Sequence, residues 1–270
     1  MANIEQMAEH YRDMGYSDRN ADARVCQDIV LKAIAKSSLG KNVTIKGGVV
    51  MRGITGDMRR ATEDLDLDFI RYSIEDDSVR RFIEKLNCLD GITIEIKDDE
   101  IEPLSQQEYN GKRVKVIIRD DEGHSLESKI DLGVHASMNI EQDNFCFDVC
   151  MDDEGASLLI NSCEQIFAEK LRSLLRFGPI SSRYKDIFDF CYLKDHVDMD
   201  RLAECIRTYI INEPSMRETD MDGVIRRVSM TFNNSNYRAK LKTCGDRNWL
   251  QMDVDDAFGT IVDFLKTIDV

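Results

Sequence analysis

From Asp64 to Phe69 the chain alternates acid and apolar residue at every position, Asp64-Leu65-Asp66-Leu67-Asp68-Phe69. That period of two is the period of a strand. Leu65, Leu67 and Phe69 then point to one face, and Asp64, Asp66 and Asp68 to the other. Three like charges on one strand face repel each other. A solvated face answers that repulsion, and so does a divalent cation, because hard cations take carboxylate oxygens. The strand by itself leaves both answers open.

About sixteen residues upstream, Gly47-Gly48 opens a short apolar segment. Glycine lets the backbone come close to a phosphate, and the N–H groups of a following helix start can cradle it. A diglycine is equally a plain turn. The short loop that follows can fold the diglycine and the acidic strand together. It is expected to carry Arg52, Arg59 and Arg60 close to that strand.

The rest of the chain frames this stretch. Residues 1–20 are polar and read as a short, loosely attached helix. Val25, Ile29, Leu31, Ala33 and Ile34 keep helical spacing and mark a packed helix over 21–38, ended at Leu39-Gly40. A short strand at 43–45 delivers the chain into the diglycine. An amphipathic helix is predicted at 76–88, then strands at 91–97, 113–119, 127–134 and 144–151. Beyond residue 155 the periodicity is helical, at 163–177, 182–194, 199–211, 220–230 and 254–267. The boundary falls at 152–160, giving an α+β domain over 1–155 and an α-helical domain over 156–270.

Three further constellations bear chemistry. On the strand at 127–134, Lys129-Ile130-Asp131 sets Asp131 opposite an apolar face. It can bring a third carboxylate to Asp64 and Asp66, or be ordinary surface charge. In the helical half, Ser162 and Gln165 suit a capping box. Glu169, Lys170, Arg183, Lys185, Asp186 and Asp189 follow, and Asp186 and Asp189 share a helix face; a surface salt-bridge pattern explains them equally well. Finally, Arg226, Arg227, Arg238, Lys240, Lys242 and Arg247, with Tyr237 and Trp249, form the one clearly basic stretch. It suits a nucleic-acid backbone or a solvated helix face.

Composition narrows the classes. A net charge of −15 favours solubility, argues against a membrane surface and weighs mildly against non-specific duplex binding. No apolar run approaches the ~20 residues needed to cross a bilayer. Eight scattered cysteines without CxxC spacing, and no cleavable leader, read as free thiols in the cytoplasm. The four histidines form no HxxxH pair, and neither a GxSxG elbow nor a GxxxxGK[ST] loop is present.

Taken in order, these motifs resemble the nucleotidyltransferase-fold toxins of the AbiEii/AbiGii family, found in bacterial abortive-infection and type IV toxin–antitoxin systems. Lys46-Gly47-Gly48 resembles the family's KGG. Arg60-x-Thr62-x-Asp64-Leu65-Asp66-Leu67 resembles its R-x-T/S-x-D-[IL]-D-[LF] signature. Lys129-Ile130-Asp131 stands where the third acid is expected. Ala168-Glu169-Lys170 and Arg183-Tyr184-Lys185-Asp186-Ile187-Phe188-Asp189 resemble its AEK and RxxDLYDL segments. The resemblance covers about residues 20–195.

It implies a polymerase-β-like domain, a mixed sheet with flanking helices, followed by the helical domain. It implies transfer of a nucleoside monophosphate from a nucleoside triphosphate to an acceptor hydroxyl, with Mg²⁺ or Mn²⁺. Asp64, Asp66 and Asp131 would be metal ligands. Lys46, Gly47, Gly48, Arg60, Thr62 and Lys170 would bind the nucleotide. Asp186 would be a further catalytic carboxylate. In relatives the acceptor is often the 3′ end of tRNA, and a cognate antitoxin is expected. One departure stands out. The wider superfamily has Gly-Ser where this chain has Gly47-Gly48, so the serine hydroxyl is missing. A small-molecule or protein hydroxyl as acceptor, and a non-catalytic interaction protein on the same scaffold, are the competing readings.

Overall fold

The computed structural model describes residues 3–104, 111–135, 139–150 and 152–270. The chain divides into two compact units, Met1–Asn161 and Ser162–Val270.

The first unit opens with α1 (Ile4–Asp13) and α2 (Asp18–Lys36), capped by the side chains of Asn3 and Ser17. β1 (Val43–Lys46) runs into α3 (Gly47–Thr55), and a 3₁₀ turn at Met58–Arg60 leads to β2 (Leu65–Phe69). Then come α4 (Asp76–Lys85), β3 (Ile92–Leu104), β4 (Gly111–Asp120), β5 (Ser125–Val134), β6 (Asp143–Val149) and β7 (Asp152–Ile160). The seven strands form one mixed sheet in the order β3-β4-β5-β2-β1-β7-β6. β2 runs parallel to β5 and β1 parallel to β7; the other pairs are antiparallel. Leu65, Leu67 and Phe69 are buried on the core face, as the alternation requires. Phe69 meets Phe82 of α4 edge to face.

Two expectations change. The N-terminal helix is packed, not loosely attached: Ile4, Met7, Ala8 and Tyr11 are all buried against the sheet unit. Residues 152–160, read as a boundary, form β7. The strand expected at 144–151 ends with Met151, which lies outside the described residues.

α1 and α2 meet at a buried carboxylate. Asp28 accepts from the Tyr11 hydroxyl and, at 2.9 Å, from the Cys150 amide, with Arg24 Nε 3.2 Å away. Burial pushes the Asp28 carboxyl up to about 6, against the pull of Arg24. The folded state therefore holds this proton more tightly than the unfolded chain. The stability tied to it, about 3 kcal/mol, is fully present below pH ~4 and lost as pH rises through about 6. A ¹³C titration of the Asp28 carboxyl is expected to show a midpoint near 6. Arg24→Met should move it higher; an ordinary carboxylate midpoint near 4 would disprove the assignment.

The second unit is helical: α5 (Cys163–Phe177), α6 (Tyr184–Leu193), α7 (Met199–Ile206) continued by a π-helical stretch at Arg207–Ile211, α8 (Met221–Phe232), α9 (Ser235–Lys242) and α10 (Val254–Leu265). Ser162 caps α5 by accepting from the Gln165 amide at 3.2 Å. The reciprocal half of the box is replaced by a bond from Gln165 Nε2 to Glu169 at 2.9 Å. The basic stretch changes meaning here. Tyr237 and Trp249 are core residues, Arg238 and Lys242 pair with Asp255, and Arg247 lies over the Tyr184 ring. These two aromatics are not available to stack on bases.

Candidate active site

The sheet register lays out the charged face. Lys46 of β1 is opposite Asp66 of β2, Asp66 is opposite Asp131 of β5, and Asp131 is opposite Arg113 of β4. Directly paired residues share a face. Four strands thus set a row of cation, carboxylate, carboxylate and cation across the middle of the sheet. Two carboxylates side by side repel, and the flanking cations offset part of that cost.

Arg113 grips Asp131 with both ends of its fork, Nε to Oδ1 and Nη2 to Oδ2, each at 2.7 Å. The hydrogen bond to Asp131 raises the Arg113 pKa, and the charges of Asp131 and Asp64 add to it. Lys46 reaches diagonally to Asp68 at 2.6 Å. Asp68 is buried, and Gly133 beside it has no room for a side chain, since a Cβ would strike that carboxylate. Asp64 lies just before β2, is exposed, and lines a separate depression with Glu63 and Lys129.

The diglycine sits directly above this row. Gly47 has φ +67°, a conformation that favours glycine. A Cβ there would enter the Asp66 carboxylate. At Gly48 a Cβ would come within 2.5 Å of Thr62 Oγ1 and 2.7 Å of Thr62 Cβ. The missing serine is explained by this contact: the Thr62 hydroxyl occupies the place where a side chain at 48 would begin. Gly48→Ala is accordingly expected to cost about 1–3 kcal/mol in denaturant unfolding, with most of it recovered in Gly48→Ala/Thr62→Gly. Full additivity of the two changes would rule the contact out.

Of the loop arginines, Arg60 is buried at the end of the 3₁₀ turn and Arg59 is paired with Asp57. Arg52 lines a cavity whose wall includes none of Asp64, Asp66 and Asp68. It stands five residues along α3 from Gly47, about 7.5 Å of rise.

The donor set of Asp64, Asp66 and Asp131 is hard oxygen and fits a divalent cation in kind. The register fits as well, since Asp66 and Asp131 are neighbours. The Arg113 fork on Asp131 is the contact that such an ion has to compete with. Among the described residues no three His, Cys, Asp or Glu side chains already stand together as a metal-holding group.

In the second unit, Lys170 of α5 is held by two acids of α6, 2.5 Å from Asp186 and 2.8 Å from Asp189. Asp189 is fully buried and also accepts from the Trp249 indole at 2.9 Å. The one-turn spacing of Asp186 and Asp189 is what lets both meet one ammonium. Arg113 belongs to none of the sequence motifs, whereas Asp189 stands in the second helical motif and Trp249 in the basic stretch, without the bond that joins them. For Asp189 the signal was there, in its shared face with Asp186.

A family model described as nucleotidyl transferase AbiEii toxin, Type IV toxin–antitoxin system, matches residues 29–255. No curated protein matches the sequence. Among solved structures, an H. pylori protein described as a nucleotidyltransferase aligns at 16% identity and TM-score 0.49, over 94% of this chain and 95% of that one. An antigenic nucleotidyltransferase-like protein from Paracoccidioides brasiliensis aligns at 15% identity and TM-score 0.47, over 80% of this chain and 93% of that one. The antibiotic-resistance factor ANT(2'')-Ia aligns at 12% identity and TM-score 0.43, over 71% of this chain and 92% of that one.

Proposed function

This chain belongs to the AbiEii nucleotidyl transferase toxin family, and from that membership we propose that it transfers a nucleoside monophosphate to the 3′ end of tRNA as the toxin of a toxin–antitoxin pair. In that reaction the acceptor oxygen forms a bond to the α-phosphorus, the α–β bridge breaks, pyrophosphate leaves and the acceptor hydroxyl gives up its proton. The observation that supports the reading is the row Lys46, Asp66, Asp131 and Arg113, capped by Gly47 and Gly48 at the start of α3.

In this reading Asp66 and Asp131, with Asp64, hold Mg²⁺. Bound there, the ion would supply acidity at the acceptor hydroxyl and charge neutralisation at the leaving group. The first amides of α3 meet the phosphates, as unpaired N–H groups at a helix start do. Thr62 supplies the hydroxyl that Gly48 lacks. Lys46 stays paired with Asp68 and offsets charge at the edge of the row, while Arg113 orients Asp131. Arg60, buried at the end of the 3₁₀ turn two residues before Thr62, serves the nucleotide side as the family resemblance implies. Lys170 carries the phosphate-neutralising role that the family resemblance gives it, with Asp186 and Asp189 orienting its ammonium. A cytoplasmic location accords with eight free thiols, and no helix among the described residues is long and apolar enough to cross a membrane. The cognate antitoxin is proposed on the family alone.

A second reading, transfer to a small-molecule or protein hydroxyl, gains from one observation. In the basic stretch Arg238 and Lys242 are paired with Asp255 and the two aromatics are core, on a chain of net charge −15. The experiment offers each α-labelled triphosphate, with Mg²⁺ or Mn²⁺, to total tRNA, to cell protein and to a metabolite extract. Label on the tRNA 3′ end is the expected result. Label in protein or in the acid-soluble fraction instead selects the second reading. No transfer in any arm refutes both.

A further inference from the structure

Arg113 stands between two acids. In the register of β4 it is directly opposite Asp131 of β5 on one side and Glu102 of β3 on the other. Directly opposite residues share a face, with Cβ atoms about 5 Å apart, so the guanidinium can reach either carboxylate from the same backbone position. In the structure both ends of its fork are on Asp131, at 2.7 Å each. Glu102 is held instead by Lys115, also of β4, at 2.6 Å. Lys115 and Glu102 both keep solvent, and a pair that exposed holds its partners only weakly. A carboxylate also has about four acceptor sites, more than one ammonium fills. The Glu102 charge already acts on Arg113, raising its pKa behind the contributions of Asp131 and Asp64.

Asp131 is the buried member of this ladder, and two cations make opposite demands on it. The guanidinium fork engages both of its oxygens. A divalent ion needs the same oxygens at a little over 2 Å. Two cations on one carboxylate repel at short range, and most where solvent is scarce. Arginine does not relieve that repulsion by losing its proton. Its side chain is about one-third exposed and free of the core, so it can turn away, and across the ladder the acid on its other side is Glu102.

We infer that Arg113 is a two-position arm that sets the divalent-ion affinity of the proposed active site: it lies on Asp131 in the ion-free protein and passes to Glu102 when an ion takes Asp131. This rests on the reading of Asp66 and Asp131 as metal ligands. Arg113 is a positioning residue, which presents Asp131 oriented and then yields it. The test reads the binding of Mn²⁺ alone to the full-length protein, from the electron spin resonance of the free ion, with no nucleotide and no turnover. Saturable binding that is lost in Asp66→Asn is expected. Arg113→Gln should tighten it at least about tenfold, and Arg113→Lys, which keeps the charge without the fork, about threefold. Glu102→Gln should weaken it about threefold in the parent but by less than about 1.3-fold in Arg113→Gln, where no arm is left for Glu102 to receive. A plain through-space effect of the Glu102 charge would be equal in both backgrounds. Should Arg113→Gln fail to fold, the Arg113 Nε–H signal in ¹⁵N spectra, identified by its absence from Arg113→Lys, decides: it should shift as Mg²⁺ saturates the parent and shift less in Glu102→Gln. Mn²⁺ binding that needs Asp66 but is unchanged or weakened in Arg113→Gln overturns the arm and leaves the metal ligands standing. Equal Glu102→Gln effects in both backgrounds, or an Arg113 signal unmoved at saturating Mg²⁺, do the same. No saturable binding in either the parent or Arg113→Gln overturns the arm and the metal ligands together.

Discussion

Asp66→Asn is expected to lower nucleotide transfer by at least about 1,000-fold, close to 4 kcal/mol of transition-state stabilisation, with the fold intact. The substitution is nearly isosteric and keeps a side chain of the same shape between Lys46 and Asp131 in the register. What it removes is the charge. Asp68→Asn, two residues on, is the informative contrast. Asp68 is buried and tied to Lys46 at 2.6 Å. Its loss leaves that ammonium without its carboxylate and is read mainly as lost stability. Initial rates of label transfer for the two variants, set beside their denaturation midpoints, separate the roles. If Asp66→Asn stays within tenfold of the parent rate, or Asp68→Asn alone removes activity at full stability, the proposed use of this strand is wrong.

Asp189→Ala is expected to destabilise the second unit by about 3–5 kcal/mol, the range for breaking a buried charge pair from one side. The carboxylate has no exposed surface and accepts from Lys170 Nζ at 2.8 Å and from Trp249 Nε1 at 2.9 Å. Truncation strands an indole N–H in the core and removes one of the acids that hold Lys170. Trp249→Phe, which removes one neutral donor, should cost only about 1–2 kcal/mol. Asp186→Ala falls between them, because its side chain retains some solvent. Urea titrations of the three variants check the order. Equal stability of Asp189→Ala and the parent would mean that the pair contributes nothing.

The legible and illegible parts divide by range. The β2 alternation was readable because core and charged faces are written in consecutive residues. Its neighbour was not: that β5 lies beside β2, with Asp131 at Asp66, is a pairing across more than sixty residues of chain. Asp131 came from its Lys-Ile-Asp setting and the resemblance. Arg113 was missed because nothing in its strand says which acid will face it. β7 was missed because Asp152, Asp153, Glu154 and Gly155 at its start look like a loop, although Ala156 to Ile160 carry strand period. The packing of α1 could have been found, since Ile4, Met7, Ala8 and Tyr11 keep the spacing of one helix face.

The shared ladder of β2 and β5 has a consequence for how such a chain can vary. On these strands every second residue packs the core and every second residue carries the charged face. Substitutions can retune the charged face one position at a time. A one-residue slip of the whole of β2 has no such partial outcome: it turns Asp66 inward and both leucines outward together. Strand length here is an all-or-none trait. Divergence in length is left to the connections, while the spacing from Leu65 to Phe69 is held by packing and chemistry at once.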